Sequence, residues 1–149
     1  MTAWTYGLWA FAAGVLIPAM AILNGGLGRV LGSPGWAAVI LFATALVASL
    51  AVAAFSGAPA LAALANARPE QFAAGLIVAF YVLSATYLTP RFGVAPTILL
   101  VVVAQIFAAS LIGHFGWLGA PRQPIGLLRG AGVAMMVGGV ILTQLRPSH

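Results

Sequence analysis

Residues 94–112 read VAPTILLVVVAQIFAASLI, a stretch without one charged side chain. In water the run from Ile98 to Val103, rich in β-branched residues, would suit a buried strand. In lipid an open strand would leave its backbone N–H and C=O groups unpaired, so the segment reads as a helix. About 20 apolar residues at ~1.5 Å rise each cross the ~30 Å hydrocarbon core. This is the fourth of five such segments.

Moving outward from it, the third span covers about 71–88 and is closed by a tight turn at Thr89-Pro90-Arg91-Phe92-Gly93. The second covers about 36–55, with Pro34 placed to open it and Ser56-Gly57-Ala58-Pro59 to close it. The first covers about 4–23 and carries Gly7, Gly14 and Pro18; Asn24-Gly25-Gly26-Leu27-Gly28-Arg29 then ends it or locally unwinds it. Its N-terminus lacks the basic residues and cleavage site of a signal peptide and reads as a retained span. The fifth span covers about 125–145, after a loop from Gly113 to Pro124. Ala60 to Ala67 reads as a short interfacial helix and Arg146-Pro147-Ser148-His149 as a tail. Small residues recur at four-residue spacing in Ala10 and Gly14, in Ala104 and Ala108, and in Gly130, Ala134 and Gly138, where helix backbones can approach closely.

Composition supports the same architecture. Of 149 residues 63% are hydrophobic and 5% charged, with a mean hydropathy of +1.13; soluble domains run at roughly 45–50% apolar and about 25% charged. The expected fold is all-α, a single polytopic transmembrane domain over residues 1–149 with five helices. Six Arg, no Lys and the lone acid Glu70 make the net charge of +5. A handful of interfacial arginines makes no basic stripe, so nucleic-acid binding is not expected. Cysteine is absent, which removes disulfides and thiolate chemistry. His114, His149 and Glu70 are too few and too dispersed for a metal centre or an acid–base pair. No cofactor and no enzymatic activity are expected.

Positive charge in short loops normally sets orientation. With five spans, Arg68, Arg122 and Arg129 fall on one side and Arg29, Arg91 and Arg146 on the other. That balance predicts insertion in both orientations, or assembly with an oppositely oriented partner, the geometry of inverted-repeat transporters. Insertion in one orientation stays open.

The chemistry-bearing groups inside the spans are amides and hydroxyls. Asn24, Gln105 and Gln144 are the amides, and Tyr81, Ser84, Thr86 and Tyr87 cluster in the third span. An amide at the centre of a span is costly without a partner. Gln105 therefore makes an interhelical hydrogen bond or lines a cavity that takes a polar solute. His114 reads as an interfacial residue after the fourth span. No span carries the carboxylate that a proton-coupled cation exporter uses.

NGGLGRVLGSP at Asn24 to Pro34, Gly75 to Phe80 with Tyr81, LTPRFG at Leu88 to Gly93, Gln105, and His114-Phe115-Gly116-Trp117 together resemble, in order and over nearly the whole chain, the YdcZ-type family. This is a five-span branch of the drug/metabolite transporter superfamily. The chain departs from it at Gly113, where family members often carry an acid. The resemblance implies a multi-pass protein of the bacterial inner membrane, half of a ten-helix transporter. It would pair as a homodimer, or as a heterodimer with a paralogous five-span protein. On this reading it moves a small organic solute. Asn24, Tyr81, Tyr87 and Gln105 would contact that solute between spans one, three and four, and Pro18, Gly25 and Gly26 would let span one bend as a gate. The alternative is a non-transporting membrane subunit that stabilises or positions a partner complex.

Overall fold

The computed structural model describes residues 3–57 and 66–144. The proposed interfacial helix at 60–67 and the tail at 146–149 lie largely or wholly outside them. Among the described residues every regular element is helical: α1 (Ala3–Val30), α2 (Pro34–Ser56), α3 (Pro69–Phe72), α4 (Ala74–Phe92), α5 (Val94–Phe115), a 3-10 turn (Trp117–Gly119) and α6 (Leu127–Gln144). Four stretches of the described residues are long and apolar enough to cross a bilayer: Trp4–Val30, Pro34–Ser56, Pro69–Phe92 and Val94–Phe115. The fifth expected span is shorter. α6 has 18 residues, about 27 Å of helix, and begins only at Leu127 because Pro124 and Gly126 precede it in non-helical chain.

The chain forms two compact units, Met1–Val94 and Ala95–His149. In the first, α1 packs against both α2 and α4, and α2 touches α4. Its core is built from small residues. Ala21, Ala37, Ala38, Val82 and Ala85 are buried together with Asn24, Thr86 and Thr89, and among the described residues no large side chain is fully enclosed. Lipid offers no hydrophobic drive for helices to associate, so close backbone approach and interhelical hydrogen bonds must hold them. The stripe that does this on α1 is Ala21, Gly25 and Gly28, answered on α4 by Val82, Ala85, Thr86 and Thr89. Ala10 and Gly14, the pair expected from spacing, lie exposed.

Two boundaries differ from the sequence expectation. α1 does not unwind at Asn24 but stays helical to Val30, because Gly25 and Gly28 face Pro90 and Thr86 across the interface. There the absence of a side chain serves contact instead of flexibility. The helix then stops on a Schellman motif. Gly32 takes φ +64°, Ser33 N–H donates to Gly28 O at 3.0 Å and Gly32 N–H to Arg29 O at 3.2 Å. Ser33 at once caps α2, its Oγ accepting from Trp36 N–H at 3.3 Å, with Pro34 as first helical residue.

The second difference is at Pro90, which sits inside α4 and not in a turn. Proline removes the helical N–H that would reach Thr86 O; next to that position the Arg91 guanidinium donates to Tyr87 O at 2.9 Å. The reversal comes at Gly93, with φ 98° and ψ 151°, a region essentially reserved for glycine. Gly93→Ala is expected to cost about 1–3 kcal/mol, read as a lower melting point of the purified protein in detergent. An unchanged melting point would mean the reversal tolerates a side chain.

In the second unit, α5 and α6 are joined by a closed connection. Gln123 N–H donates to Gly113 O at 2.7 Å and Ile125 N–H to His114 Nδ1 at 3.1 Å. The Arg122 Nε–H reaches His114 O at 3.4 Å. The His114 ring stands edge-on to Phe115, which stacks on Trp117. His114 therefore staples the loop that follows α5.

Candidate functional site

Asn24 is the buried amide of the first unit, 6% exposed. Its Nδ2 donates to Thr86 Oγ1 at 2.5 Å, across from α1 to α4. The Thr86 hydroxyl in turn donates to Val82 O at 2.7 Å. That second bond commits the hydroxyl proton to its own helix and leaves the oxygen lone pairs for the amide. The arrangement holds Asn24 in one orientation, and an intramembrane hydrogen bond of this kind contributes about 0.6–2 kcal/mol.

Asn24 also lines a groove of about 410 Å³ between α1 and α2. Leu16, Met20, Leu23 and Leu27 form one wall, Ile40 and Leu41 the other, and Thr44 is the second polar residue. The Thr44 hydroxyl donates to Leu41 O at 2.8 Å, so its proton is committed within α2. The groove thus presents a long apolar surface with Asn24 as its amide. Pockets for small organic molecules run at about 300–1,000 Å³, mostly apolar with few placed polar groups. A second apolar groove of about 410 Å³, between α2 and α4, is lined by Trp36, Phe42 and Leu83 among others.

The other residues singled out from sequence are placed differently. Tyr81 is half-buried on α4, and its hydroxyl is enclosed without a hydrogen-bond partner among the described residues. Tyr87 is half exposed, and the Arg91 guanidinium stands 3.8 Å over its ring centroid, which occupies one face of the ring. Gln105 is exposed on α5, in the second unit. The side chain that meets Asn24 is thus Thr86, which sequence reading placed in a polar cluster without a role. The available signal was register: Val82, Ala85, Thr86 and Thr89 recur at i, i+3, i+4 and i+7, as do Ala21, Asn24, Gly25 and Gly28.

Of the expected gate residues, Pro18 lies within α1 and withholds the N–H that the Gly14 carbonyl would otherwise accept. A Cβ on Gly25 would touch Pro90 and Thr89, whereas Gly26 has open space. Among the described residues no three His, Asp or Glu side chains gather as metal ligands would.

Residues 5–142 match the family model described as "Putative inner membrane exporter, YdcZ". Neither a curated protein nor a solved structure matches the chain.

Proposed function

Since the chain belongs to the YdcZ family, we propose that it exports a small, largely apolar organic solute bound in the groove between α1 and α2 and held by Asn24. It is a multi-pass protein of the inner membrane. The observation that carries the proposal is an amide fixed by Thr86 and facing a groove that is otherwise nearly all hydrocarbon. An apolar solute with one hydrogen-bonding group complements such a surface. Tyr81, whose hydroxyl has no partner among the described residues, and Tyr87 do not line that groove and are further polar contacts in this reading; Gln105 is one in the second unit. In this reading α1 bends at Pro18 and at Gly26, which meets no neighbour, beside the contact that Gly25 makes with Pro90.

The working unit in this proposal is a dimer. Gln105 supports it, because an exposed amide in the middle of a membrane helix needs a polar partner that lipid does not offer. The even split of arginines supports an antiparallel pair. Reporters fused to the C-terminus are expected to give signal on both sides of the membrane; signal on one side ends insertion in both orientations, and with it an antiparallel homodimer. Efflux from proteoliposomes, screened with solutes that raise the melting point, tests export itself. Solute binding without any flux, or no binding across the library, would instead favour a subunit that supports a partner complex.

A further inference from the structure

We propose that the end of the first unit where α1 and α4 terminate holds an oxyanion, a phosphate group, between Arg29 and Arg91. Both arginines line one cavity of about 140 Å³ whose other walls are Gly25, Gly28, Gly32, Pro34, Thr86 and Pro90. An adjoining cavity of about 70 Å³ shares Gly25, Arg29 and Pro90 and adds Thr89. Thr89 is 5% exposed, and its Oγ1 has no hydrogen-bond partner among the described residues. Two cations therefore line the first glycine-rich cavity, and Arg29 extends to the second, where the unpaired Thr89 hydroxyl lies.

Charge balance points the same way. The single acidic side chain of the chain, Glu70, pairs with Arg68 at 3.1 Å, so among the described residues no carboxylate neutralises Arg29 or Arg91. Like charges around one small cavity repel each other unless an anion joins them. Arg91 is held in place by its bond to Tyr87 O and by the Tyr87 ring. A guanidinium has five N–H donors, so most of those on Arg91 remain for a ligand. A basic residue in the last turn of a helix complements the helix dipole, and Arg29 and Arg91 both occupy such positions. That role explains neither the shared cavity nor the orphaned hydroxyl.

Size selects the ligand class. The space holds several waters at about 30 Å³ each but is well below the ~300 Å³ at which organic-solute pockets begin. It suits a phosphate group presented by a lipid headgroup or by a soluble phosphate. The site is separate from the Asn24 groove and does not rest on the export reading.

The experiment uses the full-length protein. In lipid-free detergent, the melting point is titrated with sodium phosphate against sodium chloride at matched ionic strength. In nanodiscs, phosphatidylcholine is compared with phosphatidylcholine containing phosphatidylglycerol. A saturable rise in melting point is expected in at least one arm. Phosphate alone would identify a soluble ligand, phosphatidylglycerol alone a headgroup, and both a shared site at which phosphate competes with the lipid. Arg29→Gln should weaken the response about tenfold or more and Thr89→Val several-fold, with Arg29→Lys restoring part of it and Arg129→Gln changing nothing. Melting of each variant without anion separates lost binding from lost folding. No saturable rise in either arm, or a rise that folded Arg29→Gln and Arg91→Gln leave intact, would overturn the site.

Discussion

Gly28→Leu is expected to destabilise the first unit by about 3 kcal/mol, the upper part of the usual range for overpacking. A Cβ built on Gly28 would stand 3.2 Å from Thr86 Cγ2, 3.6 Å from Pro34 Cα and 3.7 Å from Ala37 Cβ. Three helices therefore meet on this one position. Thr86 has little freedom to withdraw, because its hydroxyl is held by both Asn24 and Val82. Pro34 presents backbone and cannot rotate away. Gly28→Ala should fall close to neutral, its clash offset by the ~1 kcal/mol gain in helix propensity. Gly14→Leu, where nothing stands within 4 Å of the new Cβ, should melt like the parent. Thermal melts of the three variants in detergent measure the contrast. Equal melting of Gly28→Leu and Gly14→Leu would mean that α1, α2 and α4 do not pack on Gly28.

The second large effect falls on function and spares the fold. Asn24→Leu should lower transport about tenfold, the worth of one hydrogen bond to a solute, while shifting stability by only about 1 kcal/mol. The difference arises because Thr86 keeps its bond to Val82 O when the amide is gone, so no buried donor is stranded. The groove, in contrast, loses its amide and keeps Thr44, whose proton is committed to Leu41 O. Thr86→Val tests the positioning role: it leaves the amide present but unfixed, and should raise KM more than it lowers kcat. Combined Asn24→Leu and Gln105→Leu is expected to abolish flux. Full transport by that double variant in proteoliposomes would remove both residues from the solute path.

How much of this was legible beforehand differs from element to element. The apolar runs marked α2 and α5 nearly to their ends, since hydropathy and helix length answer to one quantity, the thickness of the hydrocarbon core. Asn24-Gly25-Gly26-Leu27-Gly28 and Thr89-Pro90 were misread as breaks, because glycine and proline interrupt helices in water. In a membrane the backbone has no alternative partner, so the helix continues and the glycines become contact surface. Asn24 stood out as a polar residue at the end of an oily run, yet nothing in its neighbours along the chain points to Thr86, 62 residues away. Arg29 and Arg91 were legible only as interfacial charges; their convergence on one cavity is a property of the packed helices.

What the sequence by itself determined is the solvent of this protein and hence its secondary structure. So many apolar residues and so few charges admit lipid alone, and lipid admits helices that satisfy their own backbone. The tertiary structure alone decided which faces of those helices meet, and through them which amide is fixed, which hydroxyl is orphaned and which arginines share a pocket. Burial in lipid carries no directional preference that a hydropathy pattern could record. Helix contact here depends on the matching of small surfaces within a few tenths of an ångström, and that match is made only when both surfaces are present.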